Sequence, residues 1–264
     1  MTPPLFLVPD LGGDDVIVLT GPEAHHAGTV KRLAVGEQAL LADGRGGLAE
    51  VRVTAVAKDR VSFAVEHRRT VPEPAPRFVV VQALPKGDRA ELAVEVLTEL
   101  GVDEIVPWSA ARSISVWKGD KVGKGVSKWR RTALEAAKQS RRPRIPVIAE
   151  LASDAGVASR IRTAGLALLL HEDAETALTD ALQSWDRGGR HAVSPGVSPG
   201  VSPGVPPWEV LLVVGPEGGL APAELALFEA SGARPVRLGP QVLRTSTAGA
   251  AALAVLSATV GRWR

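Results

Sequence analysis

The sequence predicts an α/β protein in two parts: a small β-rich barrel over residues 1–70, a Pro-rich link over 71–76 and a layered α/β domain over 77–264. Three observations carry this reading. Short strand candidates bounded by turn signals crowd the first seventy residues, a spacing that favours a barrel. Pro72, Pro74 and Pro76, separated by single residues, make a stiff, extended link that cannot join a central strand. Beyond the link, apolar runs alternate with helical patterns, the signature of a mostly parallel sheet covered by helices.

In the first part the strand candidates are Leu5 to Val8, Val16 to Leu19, Gln38 to Leu41, Leu48 to Val56 and Val61 to Val65, with Asp43-Gly44 and Gly46-Gly47 as turns. Pro22-Glu23 opens a short helix carrying His25, His26, Lys31 and Arg32; either histidine can stack on a base or simply pack. In the second part Phe78 to Leu84 reads as a strand and Asp88 to Leu100 as a helix. Asp88 is its expected cap, Leu92, Val96 and Leu100 its expected apolar face, and Gly101 its stop. Glu104 to Val106 is the next strand, followed by a polar loop with Arg112. A helix from about Ser127 to Ser140 should turn Trp129, Ala133 and Ala137 inward and Arg130, Arg131 and Lys138 outward, ending in the cationic corner Arg141-Arg142-Pro143-Arg144. Asp154 to Thr163 is helical, Leu166 to Leu170 is a continuous apolar strand ending at His171-Glu172-Asp173, and a further helix lies near Glu175 to Trp185. Val193 to Gly204 repeats VSPG three times. With so much Pro and Gly and little to bury, a disordered insert is expected over about 187–207.

Composition narrows the function classes. With 45% hydrophobic and 23% charged residues the chain is an ordinary globular protein, and without cysteine it has no disulfide, thiolate metal site or Cys nucleophile. Five histidines without ligand spacing predict no metal. No run of apolar residues suits a membrane span, and the amino terminus has no basic region of a signal peptide, so a cytoplasmic protein is expected. A net charge of +2 says little about nucleic acid, but its distribution says more. From Lys118 to Arg144 ten cationic residues face only Asp120 and Glu135, a run suited to phosphates or to a solvated helix face.

The stretch Val210 to Leu256 organises the rest. Two apolar runs, Val210 to Val214 and Val236 to Leu238, each end in a Gly-Pro turn, at Gly215-Pro216 and Gly239-Pro240, and are expected to stop side by side. After the first, Gly218-Gly219 frees the backbone and Pro222 starts a helix with Leu225 and Phe228 on one face and Gly232 at its end. After the second, Gln241 to Thr247 leads into an Ala-rich helix that Thr245, Ser246 or Thr247 can cap. Paired Gly-rich loops beyond strand ends suggest a ligand pocket. Glu217 and Arg244, set into these apolar loops, are its chemical candidates; alternatively Glu217 caps a helix and Arg244 pairs with a carboxylate or a partner subunit.

The string GPEGG followed by LGPQVLRTSTA, together with HHAGTVKRLAVGE, KGDRAELAVEVLTELGVDEIVP and EAAKQSRRPRIP in the same order along the chain, resembles the ribosomal RNA small-subunit methyltransferase E family of the SPOUT superfamily. The resemblance implies a PUA-like barrel that helps hold RNA, and a SPOUT-type α/β domain whose C-terminal stretch is threaded as a trefoil knot. It implies S-adenosylmethionine as cofactor, 16S rRNA or the assembled small subunit as partner, methylation at N3 of a uridine, and a homodimer with the knotted region and last helix at the interface. On this reading Leu170, Gly215, Pro216, Gly218, Gly219, Leu238, Gly239, Val242, Leu243 and Thr247 hold the cofactor, with Arg244 and Glu217 catalytic. Lys31, Arg32, Lys86, Arg112, Arg130, Arg131, Arg141 and Arg142 become RNA contacts.

The chain departs from the family pattern at Pro4 and Leu5, where an Arg is usual, and at Val96, Gln241 and Ser246, where Lys, Arg and Glu are usual. Arg244 and both Gly-Pro turns remain. Neither GxGxxG nor GxxxxGK[ST] is present in a strand-to-helix context, which disfavours a dinucleotide or NTP enzyme. The remaining alternatives are a SPOUT enzyme acting on another RNA position and a non-catalytic RNA-binding protein.

Overall fold

The computed structural model describes residues 3–189 and 209–263, which fall into two units, one drawn from residues 1–73 and 134–145 and the other from 74–133 and 146–264. The first unit is a five-stranded sheet in the order β1-β3-β4-β5-β2. Its strands are β1 (Leu5–Leu7), β2 (Val16–Thr20), β3 (Gln38–Ala42), β4 (Gly47–Ala57) and β5 (Arg60–Thr70). β1 runs parallel to β3 and the other pairs are antiparallel, so β1 and β2 are its two edges. Strand alternation puts Phe6, Leu41, Val51, Val53, Val61 and Phe63 on one face as a buried core. Register shifts at Glu50/Val51 and Val53/Ala55 interrupt the long β4–β5 ladder, as bulges that bend and twist a strand do.

Between β2 and β3 the helix α1 (Gly21–His25) continues as a π-helical turn over His26–Val30, closed where the Lys31 amide donates to the His26 carbonyl at 2.8 Å. Lys31 and Arg32 therefore follow the helical stretch rather than lie on it, and Arg32 has φ 54°. In the cationic corner Arg144 is tied to the backbone of a distant segment. Arg144 donates from Nε and Nη2 to the Val71 carbonyl at 3.1 and 2.8 Å, and a Cβ on Gly46 would lie 2.5 Å from its guanidinium. Lys138, expected to point outward, is buried instead: its ammonium meets Glu23 at 2.5 Å with 10% of the side chain exposed.

The second unit is a six-stranded, wholly parallel sheet in the order β11-β9-β10-β6-β7-β8. Its strands are β6 (Arg77–Ala83), β7 (Glu104–Trp108), β8 (Val147–Ile148), β9 (Leu166–Leu170), β10 (Glu209–Val214) and β11 (Arg234–Val236). The helices are α2 (Arg89–Glu99), α3 (Asp120–Gln139), α4 (Asp154–Thr163), α5 (Leu178–Gly189), α6 (Pro222–Ala230) and α7 (Thr245–Thr259). Both sheet faces are covered, which is why its central strands read as continuous apolar runs. Phe78, Val80, Val210, Leu212 and Val214 face one core with α2, α3, α5 and α7. Val79, Val81, Leu211 and Val213 face the other with Ile161 of α4 and Phe228 of α6. Trp108 crosses the second core, edge-on to Phe228 at 5.2 Å, and its indole N–H donates to Asp154 at the start of α4 at 2.8 Å.

Several expectations are corrected. β10 and β11 do not stop side by side, because β9 lies between them. Leu170 therefore sits at the middle of the loop cluster. α2 buries Ala90, Ala93, Val94 and Leu97, whereas Leu92 is 48% exposed; the small alanines let the helix pack closely, with α7 as its near neighbour. Asp88 precedes α2 without a side-chain cap bond. α3 begins at Asp120 rather than near Ser127, and runs through Gly123 and Gly125 although glycine is a poor helix former. α7 is preceded by Arg244 as its N-cap, while Thr245 and Ser246 are buried in its first turn. β11 is shifted toward Arg234, β8 was not foreseen, and α5 runs to Gly189, into the stretch expected to be an insert. The VSPG repeats lie outside the described residues.

At the amino-terminal ends of the strands, Arg77 bridges Glu104 at 2.6 Å and Glu209 at 3.2 Å, and Arg160 meets Glu104 at 2.7 Å. Burial pushes the Glu209 carboxyl above its ordinary 4.5, with Arg77 opposing the rise and Glu104 adding to it. A carboxyl raised on folding contributes its full stability below the unfolded value and loses it as the pH climbs through the folded one. The stability of the native protein relative to Glu209→Gln is therefore expected to fall as the pH rises from about 4.5 upward. Urea denaturation across pH measures this, and a difference independent of pH would refute the burial account.

Candidate active site

The carboxyl ends of parallel strands are where an open α/β sheet makes its crevice, and here the loops beyond β9, β10 and β11 enclose a cleft of about 620 Å³. Leu170 forms its middle wall. The loop after β10 supplies Gly215, Pro216, Glu217, Gly218 and Gly219, and the loop after β11 supplies Leu238, Gly239, Val242, Leu243 and Arg244. Arg112 enters from the loop after β7. Thr247 is not in the wall: it is exposed in the first turn of α7, where its amide donates to the Arg244 carbonyl at 2.8 Å.

Three links hold the GPEGG loop, each from a different segment. The Lys86 amide donates to Glu217 Oε1 at 3.0 Å. Arg112 donates from Nη1 to the carbonyls of Leu220 at 3.1 Å and Gly218 at 3.4 Å. Glu224, 2% exposed, accepts the Ala111 amide on Oε1 at 2.6 Å and the Ala221 amide on Oε2 at 2.7 Å. Its burial is tolerable because both carboxylate oxygens accept hydrogen bonds. A Cβ on Gly218 would stand 3.0 Å from both Cβ and carbonyl oxygen of Arg112, a contact tight enough that Arg112 would have to give way. Gly219 adopts φ 71°, which a side chain rarely tolerates.

The far rim is differently made. Val242 is 75% exposed and Leu243 half-exposed, two apolar side chains presented to the cleft. Beside them Arg244 is exposed, with no ion-pair or hydrogen-bond partner for its guanidinium among the described residues, while its carbonyl starts α7 by accepting from Thr247 and Ala248. Gln82, buried under this turn, donates to the Ala83 carbonyl at 3.0 Å and to that of Thr245 at 3.5 Å. Sequence reasoning missed Glu224 and Gln82; the first had a signal, as a Glu three residues after a helix N-cap, and the second had none. It also set aside His171, which lines the cleft with Glu172 and Asp173 and accepts the Asp173 amide on Nδ1 at 3.2 Å.

The cationic candidates are divided between the two units. In the second unit Lys86 and Arg131 are exposed, Arg112 is tied to loop carbonyls, and Arg130 meets Glu150 at 2.7 Å. In the first unit Lys31 and Arg32 follow the π-helical turn, and Arg141, with φ 56°, and Arg142 follow α3.

Comparison with known proteins gives this geometry its class. The family model described as an RNA methyltransferase domain matches residues 72–257, and one described as an RNA methyltransferase PUA domain matches 19–66. A parallel sheet with its cleft at the strand ends, preceded by that small β-unit, is an RNA methyltransferase of this two-domain class. Among curated relatives, the ribosomal RNA small subunit methyltransferase E of Mycobacterium bovis is 42% identical over 260 residues, covering 97% of this chain and 90% of the relative. That of Bacillus subtilis is 31% identical over 245 residues, covering 90% and 88%. The chain belongs to the ribosomal RNA small subunit methyltransferase E family. A putative methyltransferase from Legionella pneumophila, solved with bound cofactor SAM, matches at 28% identity and TM-score 0.76 over 98% of each chain. The Neisseria gonorrhoeae member, 23% identical over 97% and 98%, shares the fold at TM-score 0.73.

Glu224→Ala should destabilise the protein by about 2–4 kcal/mol, since it strips two amides of their acceptor. Glu224→Gln, which keeps one acceptor oxygen, should lose less. Chemical denaturation of both variants checks this, and equal stabilities would remove the carboxylate clasp from the account.

Proposed function

We propose that the cleft binds S-adenosylmethionine and that the protein methylates N3 of a uridine in 16S rRNA, as free RNA or within the small ribosomal subunit, working as a cytoplasmic homodimer with α7 at the interface. The observation that carries the reading is the unpartnered Arg244 beside exposed Val242 and Leu243, on the rim of a Gly-rich cleft in a chain of this family. Apolar side chains left in water at a cleft rim suit a planar ring such as adenine, with Leu170 and Leu238 as further apolar wall, and the backbones of Gly215, Gly218 and Gly239 allow close approach. When bound, the cofactor supplies an electrophilic methyl group on a positively charged sulfur.

The protein's own part is alignment and charge. Handing that methyl group to N3 would require the walls of the cleft to hold the two reacting atoms in line. Uridine N3 also gives up its proton, which leaves negative charge on the ring. The guanidinium of Arg244, always charged and carried by the N-cap residue of α7, would stabilise that charge. Glu217 has Oε1 committed to the Lys86 amide, so it acts chiefly by fixing the loop, with Oε2 left to accept a proton. Lys31, Arg32, Arg141 and Arg142 of the first unit, and Lys86 and Arg131 of the second, would meet phosphates.

Methyl transfer from labelled S-adenosylmethionine to small subunits and to bare 16S rRNA, followed by nucleoside analysis, should yield N3-methyluridine. Arg244→Ala should lower kcat about 10²- to 10³-fold with cofactor affinity retained. A methyl group found elsewhere, or none, would overturn the reading. RNA affinity should fall steeply with salt, and replacing both Lys31 and Arg32 by Ala should lower the slope of log K against log salt by about 1 per residue. An unchanged slope would take these two residues out of the RNA contact.

A further inference from the structure

A second cavity of about 260 Å³ opens in the same unit, between the loop after β6, the start of α2, the segment Ser115–Trp117 and α3. It is below the roughly 300–1000 Å³ of pockets that bury a whole drug-sized ligand, and suits one planar ring. Trp117 forms a wall, edge-on to Trp129 with ring centroids 5.3 Å apart and planes at 77°. The ring lies directly on the α3 backbone, because a Cβ on Gly125 would stand 2.5 Å from it. A glycine in the middle of a helix is unfavourable, and here it serves to seat the indole. Trp129, also in the wall, is 1% exposed, and its buried Nε1–H has no hydrogen-bond partner among the described residues. Lys128 stands at the rim, paired with Glu91 at 2.9 Å.

The cavity is tied to the active-site cleft by two shared loops. The loop after β6 contributes Leu84, Pro85 and Gly87 to the cavity, while its Lys86 amide holds Glu217 of the cleft. The loop after β7 contributes Arg112 to the cleft and Ser115 and Trp117 to the cavity, and Ser115 Oγ donates to the Pro85 carbonyl at 2.8 Å, fastening the loops together. Ser115 is three positions after Arg112, so at most about 11 Å of chain spans the two sites. Ile114 and Val116, which flank Ser115, are both exposed, so an apolar edge faces water along this span.

A cavity of single-ring size, walled by an indole and a short step from a methyl-transfer cleft, is a receptor for a nucleobase. We propose that it takes the base of a nucleotide neighbouring the methylated uridine in the RNA, packed against Trp117, and so fixes which uridine reaches the cleft. This rests on the RNA methyltransferase reading above.

The test is steady-state methyl transfer and cofactor calorimetry on Trp117→Ala, Trp117→Phe and Gly125→Ala, each first shown to be folded by its thermal transition. Loss of one base–aromatic contact should raise KM for the RNA about 5- to 150-fold in Trp117→Ala. Cofactor affinity should stay unchanged, Trp117→Phe should restore most of the loss, and Gly125→Ala, which displaces the ring, should resemble Trp117→Ala. Titration with RNA should also quench tryptophan emission in the native protein more than in Trp117→Phe. Native KM for the RNA in folded Trp117→Ala overturns the proposal, as does an equal loss of cofactor affinity, which would mark Trp117 as packing only. Absence of methyl transfer by the native protein sinks the functional reading and this proposal with it, whereas transfer by Trp117→Ala with native RNA dependence sinks this proposal alone.

Discussion

The carboxylate of Glu224 is the contact on which the site depends. It accepts amides from two loops that are distant in sequence, Ala111 after β7 and Ala221 after β10, while Arg112 returns the grip by donating to the carbonyls of Gly218 and Leu220. The two loops are thereby held in both directions, close enough that a Cβ on Gly218 would press on Arg112. A charge buried in this way is stable only while every bond is made. The geometry of the Gly-rich loop is consequently an all-or-none property of the clasp.

Beneath the loops the sheet supplies rigidity. Its central strands are apolar on both faces, packed against one core through Leu212 and Val214 and another through Leu211 and Val213. Close-packed interiors deform little. The loops at the strand ends therefore start from fixed points, and β9, lying between β10 and β11, sets the spacing of the two Gly-Pro turns.

How much of this was legible depended on whether a feature is local. The alternation of apolar runs and helices, the paired Gly-Pro turns and the small β-rich unit are written in neighbouring residues, and most cleft candidates, from Leu170 to Arg244, line one cavity. Strand order was not legible: nothing near Val210 or Val236 says that β9 inserts between them. The facing of α2 was misread because small Ala90 and Ala93 are buried while Leu92 faces water, an outcome set by how close the helix lies to its neighbours. Lys138 reads as a solvated charge until Glu23 meets it from a distant segment. Gln82, among strand hydrophobics, gives no sign of reaching the carbonyl of Thr245.

Glu209 opens β10, whose other end is Val214, where the GPEGG loop begins. Five strand steps separate these points by about 17 Å. Any connection that enters β10 at Glu209 thus joins the sheet at the strand end away from the cleft. Lengthening such a connection costs free energy only as the logarithm of its length. A lineage can therefore expand or contract the VSPG repeats, or an experimenter can place a tag or fluorophore there, with the loops at the carboxyl ends of the strands left as they are.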